Sequence, residues 1–502
     1  MSGKKRATVN VSSSMLLQIV SIISGFILPR LILTYFGSDI TGLVSSVSQF
    51  LNYISLFEGG VSMVIMSSLY APLANKDYKK VSGIIKAADS FYRKLGLMYV
   101  VYALAISIGY PLVVKTPYSF AFVASLSVIL SSNLFVQFMF SISYRTLLIA
   151  DRNGYIVYFS QSAFFVLNLI ISFVVLAIYP EIHVLKFASA AAFAIQPLLY
   201  GIYIKKHYPL DKHIEPDEEA LAQKWDGFGQ NFALFIHNNT DVMVLTFFAT
   251  LKDIAVYSIF FMVTNAVKTI VVSVSNALLP SVGNVYITGD KGRIKNSFNI
   301  YVAIVYTLSS FVFSMCVILL IPFVRIYTST VHDANYIQPL FGIILTTAYI
   351  LECLREPYLQ LTFVAKKFKE TTKYAFIEAI INIVISIILV VKYGLIGVAI
   401  GTVISVIYRF VVLIQFCKKN IIDLSIRKVI GDLLYVTVPI VISYILVNKL
   451  FTFTSITMLG WVIFAAKCAF IVIPVIIINT LILKRKDMMQ VIRMRKSKKG
   501  RV

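Results

Sequence analysis

The stretch VSSSMLLQIVSIISGFILPRLILTYF, from Val11 to Phe36, carries a single charged residue, Arg30. As an α-helix rising 1.5 Å per residue it reaches about 39 Å, further than the ~30 Å hydrocarbon core of a bilayer. It follows the basic start Met1-Ser-Gly-Lys-Lys-Arg6, an opening also found in signal peptides. A signal core is shorter and ends at a small-residue cleavage site, which is missing here. The stretch is therefore expected to stay as a first membrane span.

The rest of the chain repeats that pattern. Of its 502 residues, 58% are hydrophobic and only 14% charged, against roughly 25% charged in soluble proteins. Mean hydropathy is +0.83. So little charge cannot clothe the polar shells of a soluble protein of this length. Disorder is excluded as well, because 37 Phe and 29 Tyr lie among long apolar runs. The expected class is all-α, a polytopic membrane protein with about fourteen transmembrane helices. The segments are 11–36, 42–70, 91–114, 118–147, 156–178, 184–204, 226–249, 255–285, 301–327, 338–363, 372–391, 395–416, 431–450 and 459–483. The second, fourth and eighth are long enough to require tilt or extension beyond the lipid.

The net charge is +23. With the N-terminus inside, 35 of the 46 basic residues fall in inner segments and 5 in outer loops, the asymmetry that cytoplasmic loops show. This predicts a cell-membrane protein with both termini cytoplasmic. It assigns the charge to topology, with anionic membrane lipids and no nucleic acid as partners. Cys316, Cys353, Cys417 and Cys468 stand singly in apolar runs without a CxxC or Cys/His pattern, so neither a metal nor a disulfide is expected. No phosphate-cradling glycine loop or nucleophile–base pair stands out, and no cofactor is expected.

Several residues recur at an offset of 214. Asp39-Ile40 matches Asp253-Ile254, Tyr144 matches Tyr358, and Asn168-x-x-x-Ser172 matches Asn382-x-x-x-Ser386. The first six spans then read as a parallel copy of the next six. Six is even, so the copies share an orientation, and a pseudo-two-fold axis would run along the membrane normal. The expected organisation is an N-terminal six-helix lobe (1–204), a cytoplasmic linker (205–225) and a C-terminal six-helix lobe (226–416). Two additional transmembrane helices (417–483) and a basic cytoplasmic tail (484–502) complete it.

Certain words carry a family resemblance. They are Phe26-Ile-Leu-Pro-Arg30, Tyr35-Phe-Gly-Ser-Asp-Ile-Thr-Gly-Leu-Val-Ser45, Phe57-Glu-Gly-Gly-Val61 and Asn238-Asn-Thr-Asp-Val242. Later come Val256-Tyr-Ser258, Leu279-Pro-Ser-Val-Gly283 and Tyr393-Gly-Leu-Ile-Gly-Val-Ala-Ile-Gly-Thr402. With the six-plus-six-plus-two layout, the chain resembles the polysaccharide flippase branch of the multidrug/oligosaccharidyl-lipid/polysaccharide exporter superfamily. The resemblance implies two six-helix lobes around a central cavity. It implies translocation of undecaprenyl-pyrophosphate-linked sugar units from the cytoplasmic to the outer leaflet, with cavity cations meeting the pyrophosphate. In a relative, the peptidoglycan precursor flippase, such cations come from the first, second and eighth spans. Here Arg30 is on the first and Lys268 on the eighth, while the second offers Glu58 instead of a cation. A polysaccharide polymerase and glycosyltransferases of the same pathway are the implied protein partners.

An ionisable side chain within a span costs at least ~2.5–3.5 kcal/mol at the bilayer centre, so each should face the bundle interior or water. Lys268 shares a face with Thr264 and Asn265 and could meet a pyrophosphate or pair with Asp241. Arg30 follows Pro29 and could bind phosphate through its planar fork or snorkel to the headgroups. The seventh span carries Asn231, Asn238 and Asp241 on one face, flanked by His237 and Asn239. Asp241, with His237 and Glu58, is a candidate for ion or proton coupling, and Asn238 and Asn239 for sugar contact. Hydrogen-bonded glue between helices is the alternative. Glu352, Arg355 and Glu356 are expected to neutralise one another along their helix. Glu378 and Asn382 share a face suited to an amide bridge. Arg409 could line a cavity or snorkel. Gly394, Gly397 and Gly401 are expected to allow close helix packing.

The leading expectation is a lipid-linked oligosaccharide flippase. A cation-coupled multidrug exporter of the same superfamily is the alternative. A membrane-embedded polysaccharide polymerase is a third reading, against which the short longest outer loop, Thr328 to Ile337, counts.

Overall fold

The computed structural model describes residues 3–58, 60–211, 213–222 and 228–485, and every regular element among them is helical. The chain divides into two compact units, Met1–Phe235 and Ile236–Val502.

The first unit holds α1 (Gly3–Asn52), α2 (Val61–Ala74), α3 (Tyr78–Val113), α4 (Phe120–Phe140), α5 (Ile142–Ala150), α6 (Gly154–Ile178), α7 (Ile182–Phe193) and α8 (Ile195–His207). Helix α1 packs along α6, and α3 along α4. Asn10 ties the first pair. Its Oδ1 accepts from the Tyr155 amide at 2.7 Å and its Nδ2 donates to the Arg152 carbonyl at 2.8 Å. Helix α1 is broken at Gly37, where φ is 77° and ψ −177°, a conformation that a Cβ disfavours. That break separates the first two expected segments.

The second expected segment, 42–70, is not one helix. It passes through the end of α1, a 3-10 turn at Tyr53–Phe57 and a turn at Glu58, and resumes in α2. The fourth, 118–147, is divided at Ser141 between α4 and α5, and the sixth, 184–204, at Ala194 between α7 and α8. Neither serine nor alanine stops a helix by itself, so these breaks come from tertiary packing. Of the three long segments, the second and fourth are divided, whereas the eighth, 255–285, lies within one undivided helix, Leu251–Thr288. Past α8 the chain lies flat on α3. The Asp217 amide donates to the Gly83 carbonyl at 3.0 Å, the Asp211 amide to Ser82 Oγ at 3.0 Å, and Lys86 Nζ to the Ile214 carbonyl at 2.6 Å.

Helix α9 (Phe228–Phe248) begins in the first unit and ends in the second. The second unit continues with α10 (Leu251–Thr288), α11 (Lys291–Tyr327), α12 (Pro339–Val364), α13 (Phe368–Tyr393), α14 (Leu395–Asn420), α15 (Ile426–Leu450) and α16 (Met458–Leu483). Helix α10 starts on a capping box in which Thr250 and Asp253 exchange hydrogen bonds. Helix α14 is sandwiched by α12 and α13. A Cβ on Gly397 would sit 2.3 Å from the Leu389 carbonyl oxygen, so only glycine permits this approach. The last two helices pack on α11 through Ile318, Leu319, Val447, Phe464, Cys468 and Val472. Lys484 and Asp432 close that group with an ion pair at 2.5 Å.

Among the described residues, eleven helical runs are long and apolar enough to cross a membrane. The expected fourteen exceed this for physical reasons. The first two segments count as one continuous run, Thr8–Phe57. Helix α12 carries Glu352, Arg355 and Glu356, and α9 carries Asp241 among amides; neither is among the eleven.

Candidate functional site

The second unit gathers its charges where α9, α10, α12, α13 and α14 present ionisable residues inward. Lys268, near the middle of α10, pairs with Glu352 of α12 and stands 5.2 Å from the Tyr349 ring centroid. Pairing with Asp241, weighed from the sequence, is not the geometry found. Arg355 crosses from α12 to Glu378 of α13, and Arg409 of α14 approaches the other Glu378 oxygen at 3.8 Å. Glu356 accepts from Gln360 at 2.6 Å. Glu352 and Arg355 thus take their ion-pair partners on other helices, whereas Glu356 stays on α12 with Gln360, and both glutamates remain in the electrostatic reach of Arg355 as expected along one helix. Opposite charges at i, i+3 and i+4 meet well on an open surface, whereas burial favours the partner that also excludes water.

Exposure separates the cations. The Lys268 side chain is 20% exposed and Arg409 only 1%. Among the described residues the Arg409 guanidinium nitrogens have no hydrogen bond. Arg409 neither lines open space nor snorkels. It braces Glu378, which faces two guanidinium groups at once. Four carboxylates (Asp241, Glu352, Glu356, Glu378) stand against three cations (Lys268, Arg355, Arg409) in this interior.

Asp241 anchors a separate cluster of oxygens. Tyr257 Oη of α10 donates to its Oδ2 at 2.8 Å. Thr402 Oγ1 of α14 lies 3.1 Å from both carboxylate oxygens, 3.1 Å from the Val398 carbonyl and 3.1 Å from Asn382 Nδ2 of α13. Ser386 Oγ donates toward the same Val398 carbonyl at 3.4 Å. Among the described residues, the buried Asn382 Oδ1 has no hydrogen bond. A carboxylate, a hydroxyl, a carbonyl and an amide oxygen are the ligands a proton or a small hard cation takes. Asn168, the 214-offset counterpart of Asn382, likewise has a buried Oδ1 with no hydrogen bond among the described residues.

The other sequence candidates are dispersed. Asn239 is partly exposed on α9, whereas His237 and Asn238 lie on the same helix with side chains outside the described residues. In the first unit, Arg30 is partly exposed one residue past Pro29. Glu58 caps the 3-10 turn before α2, in the electrostatic reach of Arg145 on α5. Tyr257, Tyr349 and Thr402 were not among the sequence candidates, and Glu378, expected in an amide bridge with Asn382, instead meets Arg355 and Arg409 while Asn382 donates to Thr402. The three hydroxyl-bearing residues carry no spacing signal, because their partners lie on other helices.

No protein-family model matches the sequence, and neither does any curated protein. Solved structures do match. The lipid II flippase MurJ in an inward closed conformation superposes with a TM-score of 0.71 at 18% identity, covering 95% of this chain and 99% of that one. An inward-facing multidrug resistance MATE transporter of the MOP superfamily gives 0.66 at 14% identity, covering 83% of this chain and 99% of that one. A MOP superfamily transporter from Pyrococcus furiosus, described as having a binding pocket of reverse polarity, gives 0.58 at 12%, covering 82% and 95%. The chain has the fold of the MOP superfamily transporters.

Proposed function

We propose that this chain, built on the MOP transporter fold, is a flippase. It moves undecaprenyl-pyrophosphate-linked oligosaccharide repeat units from the cytoplasmic to the outer leaflet for surface polysaccharide synthesis. The observation that carries this over drug export is one of extent. The multidrug transporter is covered to 99% yet accounts for 83% of this chain, whereas the lipid II flippase accounts for 95%. The surplus is about the size of α15, α16 and the tail. A pyrophosphate with several sugars cannot cross ~30 Å of hydrocarbon unaided, so the protein supplies a polar route by alternating access while the lipid tail stays in the bilayer.

Lys268, partly exposed and held by Glu352 and Tyr349, is the ammonium assigned to the pyrophosphate, with Arg30 as a second cation and Asn238 and Asn239 for the sugars. Asp241 is assigned to the coupling ion or proton, with His237 and Glu58 as accessory groups. Arg409 is assigned to bracing. Glycosyltransferases and a polymerase would act before and after this step. In proteoliposomes with a labelled lipid-linked glycan, Lys268→Ala is expected to slow translocation at least about tenfold, the worth of one charge-assisted hydrogen bond. Asp241→Asn is expected to abolish the response to an imposed ion gradient. Wild-type rates in both Lys268→Ala and Arg30→Ala would overturn the assignment.

One observation favours the exporter, namely the excess of one carboxylate among the inward-facing charges of α9, α10, α12, α13 and α14. Gradient-driven efflux of a cationic dye, lost in Asp241→Asn and untouched by lipid-linked glycan, would select that reading.

A further inference from the structure

A cleft of about 770 Å³ opens in the first unit between α3, α5, α8 and the chain that follows α8. Its walls carry Lys86, Arg93 and Lys205, with Ser82, Ser90, Tyr144 and Gly201 between them and Asp89 and Asp211 as the acidic members. The acids are already occupied. Asp89 lies in the electrostatic reach of Ser143 and of Arg93, whose charge it offsets in part, and Asp211 Oδ1 accepts the His213 amide at 2.8 Å. Lys86 is spent on the Ile214 carbonyl. The guanidinium of Arg93 and the ammonium of Lys205 are exposed, and among the described residues neither makes a hydrogen bond. The back wall is fixed. Tyr208 Oη donates to Asp151 at 2.5 Å and accepts from Asn153 at 2.8 Å. Burial and the Asp151 carboxylate hold that phenol above its usual range, so it stays neutral.

Apolar surface continues from the cleft along both helices. On the cleft face of α3, one and two turns past Arg93, Leu97 and Val101 are 61% and 70% exposed. On α8, Leu198, one turn before Gly201, is 65% exposed. A cationic recess joined to a bare apolar stripe matches an amphiphile with an anionic head. A soluble phosphate would use the recess and leave the stripe uncovered.

We propose that this cleft holds the phosphate headgroup of an anionic membrane phospholipid, with its acyl chains on the α3 and α8 stripe. The cleft is of the size that takes a headgroup. Arg93 supplies a planar fork and Lys205 a point charge for the phosphate oxygens. The site is independent of which substrate is carried.

The test uses the full-length protein in detergent, with native mass spectrometry for retained lipid and thermal unfolding for stabilisation. Phosphatidylglycerol is expected to be retained about tenfold over phosphatidylcholine and to raise the melting temperature. Arg93→Gln/Lys205→Gln should abolish both effects by removing charge. Gly201→Leu should abolish them by filling the cleft, since a Cβ there meets nothing closer than Tyr144 at 3.9 Å. Lys79→Gln/Lys80→Gln, which removes the same charge from exposed residues at the start of α3, should leave both intact. The proposal is overturned if phosphatidylglycerol has no preference or if the cleft variants retain it. It is also overturned if the Lys79 and Lys80 control loses it equally, or if soluble inorganic phosphate stabilises the protein as much and Arg93→Gln/Lys205→Gln removes that stabilisation.

Discussion

Glu378 is the side chain on which the interior of the second unit depends most. It is 1% exposed and faces Arg355 and Arg409 together. Neutralising it in Glu378→Gln leaves Arg409 buried without its carboxylate and takes from Arg355 its ion-pair partner, although Glu352 and Glu356 still face Arg355. The expected loss is about 3–5 kcal/mol, the usual result of removing one member of a buried pair, read as a lower unfolding midpoint in detergent. The combined variant Glu378→Leu/Arg355→Met/Arg409→Met should recover most of that loss, because apolar residues carry no desolvation penalty. Sequence alone identifies these groups as costly in lipid and therefore inward-facing. It does not identify who meets whom. Glu352 lies three positions from Arg355, yet it meets Lys268 on another helix, and such a choice depends on burial that only the assembled helices create.

At the scale of elements, the contact between α13 and α14 is the tightest test of small residues. A Cβ at Gly397 would fall 2.3 Å from the Leu389 carbonyl oxygen and 2.8 Å from the Val390 amide nitrogen. Gly397→Ala must therefore push α14 away, at a cost of about 1–3 kcal/mol. Gly431→Ala in α15 is the matched control. Nothing lies within 4 Å of its Cβ, so that change should be neutral or stabilising by up to about 1 kcal/mol. Equilibrium unfolding of the two variants separates packing from helix propensity. The break in α1 was legible from Gly37, which the sequence puts between two apolar runs. The divisions at Ser141 and Ala194 were not, since neither residue stops a helix and the chain there reads as continuously apolar. The close packing of Gly397 and Gly401 followed from spacing alone, whereas Gly394, expected to share it, instead turns the chain from α13 to α14 at a φ of 54° with nothing within 4 Å of its Cβ.

For the molecule as a whole, the distribution of Lys and Arg predicts an orientation that labelling can check. The native cysteines are all buried, so background reaction should be low. Lys115→Cys and His332→Cys, both at exposed positions, should react with a membrane-impermeant maleimide in intact cells. Lys291→Cys and Lys419→Cys, also at exposed positions, should react only after the membrane is opened. The reverse pattern would refute the assigned sidedness. The oxygen cluster around Asp241 bears on the same scale. It collects Asp241 from α9, Tyr257 from α10, Asn382 from α13 and Thr402 from α14. If the cluster takes the proposed ion or proton, that single small guest would act as a rivet through four helices, coupling its loading to half of the second unit at once.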